Sequence, residues 1–299
     1  MRVLVTDGMD ASAMAALRAS GHEVVEQFYG PDELGTALRE FDAVVIRSAT
    51  KIRKAQLDAE NGGKLKLIVR GGVGIDNIDA KYAESMGISV RNTPAASSNA
   101  VAELAIGLMF SCARYISAAG HSMREDKWEK KAYSKGFELC GKTLGVVGYG
   151  RIGKRIGDIA QALGMKVLAY QRTPKPEYES DTMHFVSMDE LLSSSDIVAL
   201  STPALSEPVL NASSIEKMKQ GTVVINTSRG CNVDEDALLD ALNSGKLRAA
   251  GLDVWASEPS ANHALYSHPA VSCTPHIGAS TVEAQKRIGQ EIVEIITNF

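Results

Sequence analysis

A glycine-rich turn near the middle of the chain constrains the fold more than any other stretch. Residues 143–147, TLGVV, are apolar and β-prone, and they run directly into GYGRIG at residues 148–153. Beyond the turn, apolar side chains recur at the spacing of an amphipathic helix, at Ile152, Ile156, Ile159, Ala160 and Leu163. A strand, a G-x-G-x-x-G turn and a helix in this order predict a dinucleotide-binding unit, whereas the glycine pattern alone is often an ordinary loop.

The three glycines of the turn would each serve a different purpose. Gly148 permits the tight turn, Gly150 lets the main chain approach a pyrophosphate, and Gly153 lets the helix pack closely on its strand. The free N–H groups at the start of the helix and the positive end of its dipole would then face the anion.

Composition narrows the class of protein. A chain of 299 residues has room for about two domains, and 44% hydrophobic with 23% charged residues is ordinary for a soluble globular protein. The net charge of −4 offers no basic surface for nucleic acid. The 4 cysteines stand far apart without metal-ligand spacing, and neither a signal peptide nor a membrane-spanning run is apparent. We therefore expect a cytoplasmic protein with reduced thiols and no metal, which binds neither nucleic acid nor a membrane.

Strand-like and helix-like segments alternate along the chain in two series. The strand-like runs of the first series are residues 3–6, 23–28, 43–48, 65–70 and 88–92, and helical stretches between them are residues 11–19, 32–39, 51–59 and 79–86. A helical segment over residues 97–125 follows. The second series starts at residue 143, and its later strands are residues 166–171, 197–201, 223–227, 250–254 and 271–274, with helices at 188–194, 235–243 and 280–297. This alternation predicts the α/β class, with two doubly wound parallel-sheet domains.

Three strands of the second series are followed by side chains that can do chemistry. Ligands of open α/β sheets bind beyond the carboxyl ends of the strands, and Arg229, Glu258 and His276 each follow a different strand. Separately, they also fit a surface ion pair, a solvated carboxylate and a hydrogen-bonded histidine at a helix start. Together they fit hydride transfer, which needs a group that orients the substrate carboxylate and an acid that protonates the developing alkoxide.

These residues stand in segments that resemble the D-2-hydroxyacid dehydrogenases, and among them the D-3-phosphoglycerate dehydrogenase branch. The segments that carry the resemblance are RGGVGIDNID at 70–79, NTP at 92–94, SNAVAE at 98–103, GYGRIG at 148–153, NTSRG at 226–230, DV at 253–254 with EP at 258–259, and TPHIGAST at 274–281. They extend over nearly the whole chain in the order that the family shows.

The resemblance implies a division of the chain into three parts. Residues 1–93 would form a flavodoxin-like substrate-binding domain, and residues 94–276 a Rossmann domain for the coenzyme. Residues 277–299 would form a C-terminal helix that returns to the substrate domain, with the active site in the cleft between the domains.

The resemblance also implies which residues act. Arg229 would bind the substrate carboxylate and keto oxygen with its rigid fork of donors. His276 would be the general acid toward a keto acid and the base toward a hydroxy acid, while Glu258 holds the other ring nitrogen and stabilises the imidazolium. The implied cofactor-binding residues are Gly148, Tyr149, Gly150, Arg151, Ile152, Gly153, Gln171, Arg172, Thr173, Thr202, Pro203, Thr227, Ser228, Asp253 and Gly278. The implied substrate-binding residues are Arg47, Ser48, Arg70, Gly72, Val73, Gly74 and Asn99.

For two sets of these residues, the resemblance also implies which part of the cofactor or substrate they contact. Asp253 would help to place the nicotinamide of the cofactor. Main-chain N–H groups of Gly72, Val73 and Gly74 would complete the site for the substrate carboxylate.

The resemblance leads first to 3-phosphoglycerate as the substrate, oxidised to 3-phosphohydroxypyruvate as in serine biosynthesis. Arg47, Lys51 and Arg70 put positive charge at two neighbouring strand ends, where a phosphate would be held, although solvated surface charge also explains them. Reduction of glyoxylate, hydroxypyruvate or another 2-keto acid is the alternative. An alternative of another class is an NADH-responsive corepressor, but the chain shows no extended tail or low-complexity segment for partner contact.

Two features depart from the phosphoglycerate dehydrogenase pattern. The chain stops just after its last predicted helix, so we expect a short form without the C-terminal regulatory domain of longer relatives. After the second coenzyme strand it reads Gln171-Arg172-Thr173, where relatives that use NAD mostly have aspartate. Glutamine does not repel a 2′-phosphate, and its neighbours supply a cation and a hydroxyl, so the sequence favours NADP(H) over strict use of NAD(H). Glutamine that still binds the ribose of NAD is the other interpretation.

The resemblance implies one protein partner. Relatives associate through their coenzyme domains, so we expect a homodimer.

Overall fold

The structure is a computed structural model that describes residues 1–299, and the chain divides into two compact units. Unit 1 comprises Met1–Ser98 and Ala279–Phe299, and unit 2 comprises Asn99–Gly278. Each unit is built around one parallel sheet with helices on its faces. The predicted fold class, α/β with two doubly wound parallel sheets, is confirmed.

The sheet of unit 1 has 5 strands in the order β2-β1-β3-β4-β5, and all neighbours are parallel. The strands are β1 (Arg2–Val5), β2 (Glu23–Glu26), β3 (Ala43–Ile46), β4 (Leu67–Arg70) and β5 (Ser89–Asn92). The helices are α1 (Ala11–Ala19), α2 (Pro31–Leu38), α3 (Lys54–Glu60), α4 (Ala80–Ser85) and, from the end of the chain, α12 (Val282–Thr297). This strand order is that of flavodoxin-like sheets.

Alternate residues of the central strands in unit 1 pack on opposite faces of the sheet. Val44 and Ile68 are buried on one face in a cluster with residues of α2 and α3. Val45 and Val69 are buried on the other face with α1 and with α12, which contributes Ile292. The last helix of the chain therefore completes the core of the unit that the first residues began.

The sheet of unit 2 has 7 strands in the order β12-β11-β10-β9-β6-β7-β8. The strands are β6 (Thr143–Val147), β7 (Lys166–Tyr170), β8 (Met183–Phe185), β9 (Ile197–Leu200), β10 (Thr222–Asn226), β11 (Leu247–Leu252) and β12 (Val271–Cys273). The helices are α5 (Ser98–Arg114), α6 (Ile116–Arg124), α7 (Arg151–Ala162), α8 (Met188–Ser194), α9 (Ala212–Glu216), α10 (Glu235–Asn243) and α11 (His263–Tyr266). All neighbouring strands are parallel, and counted from β6 the order is the Rossmann order with one added strand. Strands β7 and β8 are added on one side of β6 and strands β9 to β12 on the other, so the strand order reverses between β6 and β9.

The long helical segment predicted over residues 97–125 is two helices rather than one. Helices α5 and α6 meet at an angle of 67°, because Tyr115 between them adopts the left-handed conformation with φ of 56°. The Tyr115 ring is held there by Tyr133, at a centroid distance of 5.9 Å, and by the Arg248 guanidinium 5.8 Å away. No helix taken singly is both long and apolar enough to span a membrane, and only this bent pair together reaches that length and composition.

Candidate functional site

The turn between β6 and α7 has the geometry that its glycines predict. Gly148 has φ of +92°, and a Cβ there would lie 2.7 Å from the carbonyl oxygen of Ser201. A Cβ on Gly153 would overlap the carbonyl oxygen of Gly148, because the helix passes directly over the turn. Both positions therefore exclude any side chain.

The amino end of α7 is open where a phosphate would bind. Gly150 is the N-cap residue of α7 and supplies no side-chain hydrogen bond to the helix start. A Cβ on Gly150 would meet no atom within 4 Å, so the space above the first N–H groups of the helix is free. These N–H groups and the helix dipole fit a pyrophosphate.

Tyr149, in the same turn, faces the protein interior. It is buried beneath α7 and packs edge-on against Phe185, with ring centroids 5.6 Å apart. Burial raises the pKa of the Tyr149 phenol to about 12. Of this residue, only the main chain is placed to contact a cofactor.

The end of β7 presents an acceptor that the protein itself does not satisfy. The Oε1 atom of Gln171 is buried and has no hydrogen-bond partner, which is unusual for a buried polar atom. Arg172 and Thr173, which follow it, are exposed. A ribose hydroxyl could donate to this Gln171 oxygen. A dinucleotide therefore fits three features of unit 2: the unpaired Gln171 Oε1, the open amino end of α7, and the tight turn at Gly148 and Gly153.

Two buried asparagines, which sequence reasoning missed, shape the loops after β9 and β10. Asn232 Nδ2 donates to Thr202 Oγ1 at 3.0 Å and to the carbonyl oxygen of Pro203 at 3.0 Å. Asn226 Oδ1 accepts from the N–H of Ser228 at 3.0 Å, and Asn226 Nδ2 donates to the carbonyl oxygen of Arg229 at 2.9 Å. The signal for both is an amide side chain at or beyond the end of a fully buried strand with an apolar centre. Thr227 lies between these partners and is buried.

Glu258 and His276 form a hydrogen-bonded pair. Glu258 Oε2 lies 2.7 Å from His276 Nδ1, and both side chains are a little more than one third exposed, at 39% and 36%. The other imidazole nitrogen, Nε2, makes no hydrogen bond within unit 2. The pair therefore presents one ring nitrogen to a ligand while the carboxylate holds the other.

The charges around Glu258 favour its ionised form. Partial burial raises the pKa of Glu258, but the hydrogen bond and charge of His276, the Trp255 N–H and the charge of Arg229 outweigh it. The net result is a lowered pKa. A Cβ on Gly230 would overlap the main chain of Trp255, so the loop that carries Arg229 packs directly on the loop that leads to Glu258. The structure thus brings Arg229, Glu258 and His276 together at one edge of the sheet of unit 2.

Asp253 is committed to the loop that carries His276. It is 1% exposed, and its Oδ1 accepts from Thr274 Oγ1 at 2.6 Å and from the N–H of Ile277 at 2.7 Å. Its Oδ2 accepts from the N–H of Gly278 at 2.8 Å. These bonds flank His276, which has a left-handed φ of 56° that costs energy for any residue with a Cβ. Within unit 2, the Asp253 carboxylate therefore shapes the His276 loop, and its implied contact with a cofactor stays a prediction.

Trp255, which was not expected from the sequence, links the loop that leads to Glu258 with the segment that leads to His276. Its main-chain N–H donates to Glu258 Oε1 at 3.3 Å, and its indole N–H donates to the carbonyl oxygen of Thr274 at 3.2 Å. Its ring stands edge-on to Tyr266, with centroids 6.1 Å apart. A largely apolar cavity of about 480 Å³ lies against these rings and against the Glu258–His276 pair.

In unit 1, Arg47 and Arg70 lie at the carboxyl ends of neighbouring strands. Ile46, the last residue of β3, pairs with Arg70 of β4, and Arg47 follows directly. Gly72 has φ of +143°, and a Cβ there would overlap the Arg70 guanidinium. The main-chain N–H groups of Gly72, Val73 and Gly74 donate to no acceptor within unit 1, and Ser48 is exposed.

Asn99, the remaining implied substrate residue, belongs to unit 2 rather than unit 1. Its Oδ1 accepts from Arg155 Nε at 2.8 Å, and its Nδ2 donates to Glu103. Both ends of the amide are therefore occupied by side chains of α5 and α7.

The sequence model of one protein family, described as "D-isomer specific 2-hydroxyacid dehydrogenase, NAD binding domain", matches residues 106–278. A hydroxypyruvate reductase of Thermotoga maritima is 46% identical over 301 residues, which cover 99% of this chain and 97% of the relative. A D-3-phosphoglycerate dehydrogenase of Archaeoglobus fulgidus is 41% identical over 304 residues, which cover 100% of this chain but only 57% of that longer relative. The solved structure of a glyoxylate reductase from Paecilomyes thermophila has a TM-score of 0.90 at 30% identity and covers 99% of this chain and 94% of its own.

Proposed function

Because this chain belongs to the D-isomer specific 2-hydroxyacid dehydrogenases and is an oxidoreductase with a nicotinamide cofactor, we propose that it reduces a short 2-keto acid such as hydroxypyruvate. The observation that carries the reaction is the Glu258–His276 pair, 2.7 Å apart, beside Arg229 and in the same unit as the dinucleotide turn. The choice of substrate is supported by the relative that matches this chain in length as well as in sequence, which is a hydroxypyruvate reductase.

The residues of unit 2 divide the work of the reaction. Arg229 binds the carboxylate and keto oxygen of the substrate through its planar guanidinium, which fixes the carbonyl carbon in place. His276 Nε2–H donates its proton to the keto oxygen as negative charge develops there. Glu258, held ionised by its surroundings, keeps the ring oriented and stabilises the imidazolium before the proton leaves. The bound nicotinamide supplies the hydride that reduces the carbonyl carbon.

Unit 1 contributes the second set of groups in this proposal. The unused N–H groups of Gly72, Val73 and Gly74 bind the substrate carboxylate, since oxyanions suit such clusters of main-chain donors. Arg47, Ser48 and Arg70 stand near the remainder of the substrate.

A phosphorylated substrate is the second candidate, because Arg47 and Arg70 place two cations at adjacent strand ends. Relatives of the D-3-phosphoglycerate dehydrogenase type support it, although this chain spans 57% of the length of the Archaeoglobus fulgidus relative. A phosphate held by charged hydrogen bonds would gain roughly ten- to a hundred-fold in affinity over an unphosphorylated analogue.

One comparison of substrates tests both candidates. We would measure kcat/KM for hydroxypyruvate, glyoxylate and 3-phosphohydroxypyruvate at saturating cofactor, following nicotinamide absorbance. The proposal expects hydroxypyruvate to be the best substrate and Arg47→Ala to affect hydroxypyruvate and its phosphate ester equally. A preference of ten-fold or more for the phosphorylated substrate, lost in Arg47→Ala, would establish the second candidate instead.

For the cofactor, we propose that the site accepts NADP(H) and also uses NAD(H). The support is the unsatisfied Oε1 of Gln171, followed by the exposed Arg172 and Thr173. A carboxylate at this position would repel a 2′-phosphate, and the chain has an amide there.

For the assembly, we propose a homodimer formed through unit 2. Large apolar side chains are exposed along one stretch of this unit, namely Phe110 (37%), Ile116 (57%), Met123 (59%) and Trp128 (82%). Ile116 and Met123 are seven residues apart on α6 and so share a face of that helix. A second copy of the same chain would remove this apolar surface from water.

For the compartment, we propose the cytosol. The four cysteines are all free thiols, as expected in a reducing environment.

A further inference from the structure

The loop that follows β3 in unit 1 is held by an acidic side chain from a neighbouring strand. This loop, residues 47–50, carries Arg47 and Ser48 and is called here the 47–50 loop. Asp7, which follows β1, accepts from the N–H of Arg47 at 2.6 Å and from the N–H of Thr50 at 3.0 Å through Oδ2. Its Oδ1 accepts from Thr50 Oγ1 at 2.6 Å.

The amide side chain of Asn77 holds the same loop through its carbonyl groups, whereas Asp7 holds it through N–H groups. Asn77, which lies beyond β4, donates from Nδ2 to the carbonyl oxygen of Arg47 at 2.7 Å and to that of Thr50 at 2.7 Å. The N–H groups at both ends of the loop are therefore bound by Asp7, and the carbonyl groups at both ends by Asn77. The strands β1, β3 and β4 that bring these residues together are adjacent in the sheet.

The middle of the loop is left free by this arrangement. The N–H groups of Ser48 and Ala49 donate to no acceptor within unit 1, and both residues are exposed. Since both Asp7 oxygens and the Asn77 amide are used in holding the loop, neither side chain is itself placed as a ligand for substrate. What they fix is the direction in which Arg47 and Ser48 leave the sheet.

We propose that Asp7 and Asn77 are positioning residues that hold the 47–50 loop in the conformation that binds the substrate. This inference rests on the proposed function, in which Arg47 and Ser48 stand near the substrate. Without these contacts the loop samples other conformations, and binding then includes the cost of ordering it. The cost affects formation of the complex and not the proton transfer at His276, so it raises KM and leaves kcat nearly unchanged.

Two near-isosteric variants remove one holder each. In Asp7→Asn, one carboxylate oxygen becomes an NH₂ group that faces the loop's own donors. In Asn77→Asp, the amide becomes a carboxylate that faces the carbonyl groups of Arg47 and Thr50. Asp7→Asn loses hydrogen bonds to a charged group, and Asn77→Asp turns two donated bonds into repulsion between oxygen atoms. We therefore expect KM for hydroxypyruvate to rise roughly ten-fold or more in each variant.

Asp42→Asn is the matched control. Asp42 accepts from the N–H of Arg2 at 2.7 Å and so joins β1 to β3, as Asp7 does, but at the amino edge of the same sheet. A general weakening of the unit would affect this variant similarly, whereas a loss of loop positioning would not. If Asp7→Asn does not fold, Thr50→Val takes its place, because it removes the hydroxyl that Asp7 Oδ1 binds, together with that hydroxyl's bond to Thr6 Oγ1 at 2.9 Å.

The experiment combines steady-state kinetics with amide hydrogen exchange of the peptide that contains the 47–50 loop. The proposal requires that Asp7→Asn and Asn77→Asp each raise KM, keep kcat within two-fold of wild type and exchange amide hydrogens faster in this peptide. Asp42→Asn should match wild type in all three measurements. It is overturned if KM stays within two-fold of wild type, or if kcat falls while KM does not change. If wild type reduces no keto acid, the proposed function fails, and the exchange data still show separately whether Asp7 and Asn77 hold the loop.

Discussion

At the scale of single residues, His276 shows how the structure places a reactive group in a conformation that the residue does not favour. Its left-handed main chain is fixed by the bonds that Asp253 makes on the C-terminal side of it and to Thr274 before it. Glu258 then fixes the rotation of the ring. Two carboxylates therefore determine where the free Nε2 points.

The first prediction concerns the proton donor. His276→Ala should lower kcat by ~10² to 10⁴, the usual loss when a general acid is removed, with little change in cofactor affinity. His184→Ala, which alters an exposed histidine of the same unit, is the control and should be normal. Steady-state kinetics with hydroxypyruvate give kcat for both variants. Near-normal kcat of His276→Ala would refute the mechanism.

The second prediction concerns the pH dependence of stability. The pKa of Glu258 is lowered in the folded protein despite partial burial, because His276 and its other neighbours favour the charged form. A lowered folded pKa stabilises the native state above the unfolded value of about 4.3, and this contribution disappears as the pH falls through the folded pKa. The free energy of unfolding of wild type should therefore exceed that of Glu258→Gln near pH 6, with the difference shrinking below about pH 4. Urea unfolding at both pH values measures it, and a difference that grows on acidification would contradict the assignment.

The third prediction concerns cofactor choice. Gln171→Asp should shift the preference toward NAD, because the carboxylate accepts from both ribose hydroxyls and repels a 2′-phosphate. The ratio of kcat/KM for NADPH and NADH, measured with one keto acid, reports the shift. Arg172→Ala should reduce the use of NADPH alone. A wild-type preference of a hundred-fold or more for NADH would show that the proposal on NADP(H) is wrong.

At the scale of elements, the sequence was informative wherever periodicity was sustained and uninformative where tertiary contacts decide. The strands and helices around the glycine turn follow from their apolar spacing. The break between α5 and α6 does not, because Tyr115 is neither glycine nor proline and its conformation depends on Tyr133 and Arg248, which are distant in sequence. Strand β8, which has only 3 residues at the outer edge of the sheet, was not among the predicted strands.

The fourth prediction separates two purposes of the glycine turn. Gly153→Ala should lower the stability of unit 2 by about 1–3 kcal/mol, because its methyl group overlaps the carbonyl oxygen of Gly148. Gly150→Ala should fold normally, since its methyl group meets nothing, and should instead weaken cofactor binding by occupying the space for the pyrophosphate. Thermal unfolding and cofactor titration by fluorescence distinguish the two. Equal effects of both variants on stability would mean that the turn is purely structural.

At the scale of the whole molecule, the strand orders follow from the sequence less directly than the strands do. Alternating segments predict parallel sheets, but they do not predict that β6 lies between β9 and β7. The return of the last helix to the first domain was implied by the family resemblance and not by the alternation, and α12 does pack with α1 in unit 1. The residues that shape the site without touching a ligand were also missed. Asn232 and Trp255 act through hydrogen bonds between loops whose proximity exists only in the folded sheet, whereas Asn226 bonds within its own loop.

The last prediction concerns assembly, to which the exposed apolar stretch of unit 2 points. If a second copy covers it, wild type should sediment as a dimer, and the double variant Ile116→Glu with Trp128→Glu should sediment as a monomer. Charged groups cannot be desolvated at the centre of an interface without a partner, so the substitutions act against association and not against folding. Phe28→Glu is the control, because Phe28 is 63% exposed but lies in unit 1, outside this stretch. Sedimentation velocity across a range of protein concentrations gives the mass of each variant. A wild type that stays monomeric would contradict the dimer. A double variant that still dimerises would show that the interface lies elsewhere.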